Sequence, residues 1–113
     1  MSAIKNVEEK NEIIVVRTTG YFNNEAGDAV LEVCSEKIKS GKSKFLIDME
    51  DSTVVNSIGV SVLIEIIEQL QEVDGAMAFI NLAPIVEKTF NIMGIAKYCD
   101  IYASEDEAIE KLS

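Results

Sequence analysis

Serines and carboxylates are plentiful in these 113 residues, and two cysteines accompany them, yet few are spaced to act together. The chain has no histidine, so it lacks the side chain that titrates near neutral pH by default. Neither a Ser-His nor a Cys-His pair can form, which removes the commonest hydrolase designs. The twenty acidic residues fall mainly on predicted exposed helical faces, where a solvated surface explains them better than an acid–base pair. No G-x-x-x-x-G-K-[ST] or G-x-G-x-x-G loop is present to cradle a phosphate. Cys34 lies one turn from both Val30 and Ile38 and reads as a small core hydrophobe, while Cys99 sits near the end without informative neighbours. The two cysteines offer neither a disulfide framework nor metal-ligand spacing. The expectation is a chain with no catalytic residues, no metal and no cofactor.

One hydroxyl stands apart from this background. In Val54-Val55-Asn56-Ser57-Ile58-Gly59-Val60 a polar pair leads directly into the most apolar helix of the chain. Loops leaving the carboxyl ends of parallel strands form the usual binding edge of an α/β sheet, so Ser57 is expected to face solvent there. Two readings compete. In the first, Asn56 or Ser57 is simply the N-cap that satisfies the orphan amides of the helix. In the second, Ser57 is also a phosphorylation site, since a phosphate there meets the positive end of a helix dipole and exposed N–H donors.

The elements that must position this loop follow from periodicity. Glu12 to Thr19 is rich in Ile, Val and Thr and reads as a strand closed by Gly20, with a weaker segment, Ala3 to Val7, able to pair with it. From Glu25 the apolar residues Ala26, Ala29, Val30, Val33, Cys34 and Ile38 lie along one helical stripe, capped by Asn23 or Asn24 and ended by Gly41. Lys44 to Met49 is the central strand, short and apolar enough to be covered on both faces. Asp51 to Ser57 is a polar turn. Ile58 to Val73 is a mostly buried helix whose Glu65, Glu68, Gln69 and Glu72 share one face, and Asp74-Gly75 stops it. Met77 to Ile80 is a further strand, Pro84 opens a helix that Gly94 ends, and Ile101 to Ala103 is an edge strand. A capping-box pattern, Ser104-Glu105-Asp106-Glu107, starts a last helix through Leu112. Alternating strands and helices give an α/β fold with a mostly parallel, right-handedly wound mixed sheet of 4–5 strands and about 4 helices.

Composition bounds the setting. No repeat or linker interrupts the chain, so residues 1–113 read as a single domain with one core. A formal net charge of -10 repels nucleic-acid phosphates and anionic lipid, which leaves a basic or neutral protein surface as the easier partner. The apolar run Ile58 to Ile67 contains Glu65 and falls short of the roughly 20 residues that span a bilayer. The charged N-terminal stretch lacks the apolar segment of a signal peptide, and a cytoplasmic protein is expected.

At these residues the sequence resembles the STAS domain family, in particular the bacterial anti-sigma factor antagonists. Phe45-Leu46-Ile47-Asp48-Met49 followed by Val54 to Leu63 resembles the family's apolar strand, D-S-[ST]-G-L-G loop and apolar helix. Pro84 to Phe90 with Met93-Gly94-Ile95 resembles its second recurring stretch, and Gly20-Tyr21-Phe22-Asn23 its early G-E-[IL]-D turn. The likeness covers nearly the entire chain in order. It implies partner switching: the unphosphorylated domain binds a serine kinase that doubles as an anti-sigma factor, the kinase phosphorylates Ser57 and lets go, and a serine phosphatase resets the domain. ATP then belongs to the kinase. The docking face so implied comprises Asn23, Asn24, Asn56, Ser57, Ile58, Gly59, Val60 and Ser61. Asn23 and Asn56 stand where the family carries acidic residues, and Ile58 and Val60-Ser61 replace a small or hydroxyl residue and Leu-Gly. The Asn23 and Asn56 replacements motivate an alternative, a non-phosphorylated accessory STAS subunit of a transporter or signalling assembly.

Overall fold

A computed structural model describes residues 3–113; Met1 and Ser2, with which the segment read as lacking an export signal begins, lie outside the described residues. The chain starts with a hairpin of β1 (Ile4–Lys10) and β2 (Ile13–Thr19), paired antiparallel. Asn11 and Glu12 both adopt left-handed backbone (φ 51 and 66), the geometry that a two-residue turn needs to match the twist of its strands. Glu12 therefore belongs to the turn and not to the strand. β1 runs on to Lys10, past the expected end at Val7, because an edge strand is defined by its ladder with β2 and has no buried face of its own.

After α1 (Asn24–Lys39) the chain enters β3 (Lys44–Asp51), then α2 (Ser57–Glu72), β4 (Ala76–Ile80), α3 (Pro84–Met93), a 3-10 turn (Ile95–Lys97), β5 (Asp100–Tyr102) and α4 (Glu105–Leu112). The sheet order is β1-β2-β3-β4-β5, and every pair after the first is parallel. Five strands and four α-helices among the described residues give the mixed, mostly parallel α/β fold expected, with β3 in the middle. Gly41 follows the α1 cap at φ 97 and Gly94 ends α3 at φ 78, conformations that favour glycine.

Alternation along β3 divides the core. Phe45, Ile47 and Met49 point into the larger cluster, with Val30, Leu63 and Phe90 among the helical residues that meet it. Phe79 and Phe90 pack edge to face there, centroids 4.9 Å apart. Leu46 faces the other side with Ile13, Val15, Ala78 and Ile80, where Ala108 and Leu112 of α4 lie over it. Cys34 is fully buried in the larger cluster, and burial pushes its thiol up to about 12, as a core hydrophobe should be. Cys99 is half-buried and donates its S–H to the Ile95 carbonyl at 3.3 Å.

The side under α4 also holds charges. Arg17 Nη1 donates to Asp48 Oδ2 and to Glu105 Oε1, each at 2.7 Å, while its Nη2 reaches Glu8. Lys10 pairs with Glu105 as well. Asp48 is only 8% exposed, and its other oxygen accepts from Asn81 Nδ2 and from the Glu50 N–H, both at 3.0 Å. Asp48 and Glu105 thus depart from the reading of the carboxylates as solvated surface. Among the described residues no helix is long and apolar enough to cross a membrane.

Candidate functional site at the start of α2

The loop that carries Ser57 is fastened on both sides before the helix begins. Where β3 ends, the hydroxyls of Thr18 and Ser52, both buried, hydrogen-bond at 2.7 Å, which spares either the cost of an unpaired buried group. The Gly20 N–H then donates to the Asp51 carbonyl at 2.9 Å, and the Phe22 N–H to the Val54 carbonyl at 2.8 Å. Asn56 returns its N–H to the Phe22 carbonyl at 3.1 Å, so residues 52–56 run beside residues 20–23 as a short parallel bridge. The fully buried Phe22 ring anchors this pair of segments in the core.

Asn56, and not Ser57, is the N-cap: its backbone is extended and its Oδ1 accepts the Gly59 N–H at 2.8 Å. Ser57 is the first helical residue and is exposed. Among the described residues no side chain hydrogen-bonds its hydroxyl. The Ser57 carbonyl accepts the Ser61 hydroxyl at 2.8 Å, one turn on. Asn23 plays the matching part for α1, with Oδ1 accepting the Ala26 N–H at 3.1 Å; Asn24 is the exposed first residue of that helix.

The two helix starts are pressed together through glycine. A Cβ on Gly59 would lie 2.6 Å from the Phe22 carbonyl oxygen and 2.8 Å from that of Asn23; on Gly27 it would lie 2.9 Å from Val62 Cβ. Neither gap admits a side chain. The structure therefore brings Asn23, Asn24, Asn56, Ser57, Ile58 and Ser61 to one end of the molecule, but not all the expected docking residues. Val60 is fully buried in the core and Gly59 is buried against backbone, which corrects their assignment to a partner-facing surface. The reason is the helical period: from Ser57 onward, residues 59, 60, 63, 66 and 67 turn inward while 57, 58 and 61 turn outward.

Exposed apolar side chains border the hydroxyl. Tyr21 (52% exposed), Val54 (55%) and Ile58 (59%) sit on the two segments that form the loop. Tyr21 was not singled out from sequence, although an aromatic beside a predicted turn was a usable signal. The Thr18–Ser52 pair carried no such signal, since its members are 34 residues apart.

The family model for the STAS domain matches residues 5–108, and the chain belongs to this family. Solved structures with the same fold include SpoIIAA, a Bacillus cell fate determinant, in its phosphorylated form (TM-score 0.77, 24% identity, 98% of this chain and 100% of that chain). An anti-sigma factor antagonist from Mycobacterium paratuberculosis superposes with a TM-score of 0.82 at 20% identity, over 99% of this chain and 98% of that one. RsbS from Moorella thermoacetica, solved as a serine-to-glutamate variant, gives 0.80 at 18% identity, over 95% and 92%. At these identities the likeness speaks for the fold.

Proposed function

We propose that this chain is a cytoplasmic anti-sigma factor antagonist that docks an anti-sigma factor serine kinase on the face around Ser57 and is released when that kinase phosphorylates Ser57, a serine phosphatase restoring the docking form. The observation that carries this reading is an exposed, unengaged hydroxyl at the first position of a firmly capped helix, bordered by Tyr21, Val54 and Ile58. The phosphate adds roughly −1.5 to −2 charges. The helix start tolerates them, because its dipole and its free N–H groups favour an anion. A partner pressed onto the same apolar border does not, since the charge must then be desolvated or meet like charge. In this reading the transfer is the kinase's chemistry and ATP is bound there. Proteins of the same fold, an anti-sigma factor antagonist and a phosphorylated SpoIIAA, support the same role.

The test is calorimetric titration of the host's anti-sigma factor kinase with two variants. Ser57→Ala is expected to keep the native affinity, and Ser57→Asp to lose it by tenfold or more, about 1.4 kcal/mol. Equal affinities would sink the proposal. A second reading, a non-phosphorylated accessory subunit of a transporter or signalling assembly, is favoured by one observation: the two caps flanking Ser57 are neutral asparagines. It requires that Ser57 never carry phosphate.

A further inference from the structure

The caps fix more than the helix starts. An asparagine side chain is a flat amide with an acceptor on one side and two donors on the other. At both Asn23 and Asn56 the acceptor must be the atom that meets the backbone N–H, of Ala26 and Gly59 respectively, so the choice between oxygen and nitrogen is settled by the cap itself. Oδ1 is turned onto the helix end, and Nδ2 is therefore turned away from it. Among the described residues neither Nδ2 has a hydrogen-bond partner, whereas the Nδ2 of Asn81 is engaged with Asp48. Both residues are half-exposed, and α2 has no acidic residue in its first turn. On this acidic chain the Ser57 face thus offers two amide donors and no carboxylate at either cap; Glu25, in the first turn of α1, and the exposed Asp28 are acidic neighbours on that helix.

We infer that Asn23 and Asn56 set the hydrogen-bonding polarity of the docking face, and that the partner places acceptors, carbonyl or carboxylate oxygens, opposite both amides instead of arginine or lysine. This rests on the docking role proposed above. An aspartate in either place caps its helix equally well but turns a charged acceptor outward where an amide now donates. The two caps therefore decide which partner fits without altering the fold. They also widen the contrast of the switch: before phosphorylation the face donates at positions 23 and 56 and is uncharged at 57, and afterwards position 57 carries the negative charge of the phosphate.

The experiment uses the full chain with Asn23→Asp, Asn56→Asp and Asn56→Ser. Thermal unfolding is expected to be unchanged or slightly raised for the aspartates, because an anion suits a helix start. Binding to the same anti-sigma factor kinase is expected to weaken about tenfold for each aspartate. Asn56→Ser keeps a good cap and adds no charge, but its shorter hydroxyl cannot place a donor where the amide nitrogen stands, so its weakened binding reports the loss of the amide and not a gained charge. Equal or tighter binding by the aspartate variants, with folding intact, would overturn the inference. A second arm needs no partner: with phosphoserine encoded at position 57, the second ionisation of the phosphate, near about 6, is followed by phosphorus NMR. Asn56→Asp is expected to raise it, and an unmoved value would equally refute a shared field between the two positions. If the native chain fails to bind the kinase, the docking role falls and this inference with it, whereas native binding that the aspartate variants retain in full overturns the inference alone.

Discussion

Gly59 is where one methyl group decides between two physical effects. Alanine is the better helix former by about 1 kcal/mol, so on propensity alone Gly59→Ala should stabilise α2. The added carbon, however, would sit 2.6 and 2.8 Å from two backbone carbonyl oxygens, and backbone cannot swing aside as a flexible side chain can. The clash wins. Gly59→Ala is expected to lower stability by about 2 kcal/mol in denaturant unfolding, the size of an overpacking defect; a gain in stability would show that residues 21–23 are not held against the helix as described. The same place shows how far single residues were legible. Ser57 exposed at a helix start followed from the residue types, and so did a cap at Asn56 or Ser57. The choice between those two needed coordinates, because both side chains can cap. Val60 was misassigned because a loop motif was read as one continuous surface, whereas a helix that begins at residue 57 sends its third and fourth residues toward the core.

At the scale of elements, α4 shows an ionic contact joining segments remote in sequence. It covers its side of the sheet with Ala108 and Leu112 and is tied at its first residue by Glu105 to Arg17 and Lys10. The Arg17 hydrogen bond, then that of Lys10, pulls the Glu105 carboxyl down to about 2 from its ordinary 4.5. A depressed folded-state value stabilises the fold in full above the ordinary value and loses that contribution as pH falls toward about 2. Glu105→Gln is accordingly expected to be less stable than the native chain by about 1 kcal/mol at neutral pH, with the gap closing near the folded-state value; a gap independent of pH between 7 and 2, in urea melts, would contradict the pairing. Hydrophobic periodicity made α1, α2, α3 and the three inner strands readable to within a residue or two at most ends. β1 was harder, since Ile4–Lys10 is largely exposed and takes its register from β2. The Arg17 contacts were not readable at all: its partners lie 9, 31 and 88 residues away, and nothing in local composition announces them.

Across the whole molecule, the fold separates a buried scaffold from the edge proposed to dock a partner. The central strand, buried on both faces, delivers its following loop to the end where two capped helices start together, and only there do Tyr21, Val54 and Ile58 stand beside a free hydroxyl. A formal charge of -10 favours an encounter with a basic or neutral protein, and under the proposed docking role the local face then selects by apolar contact and by the two amides. The central claim is that phosphate on Ser57 is the switch. Its most direct measurement is site mapping by mass spectrometry on the chain isolated from its host across growth conditions. The account predicts a fraction of molecules carrying one phosphate, on Ser57; phosphate confined to another residue, or none under any condition, would contradict it.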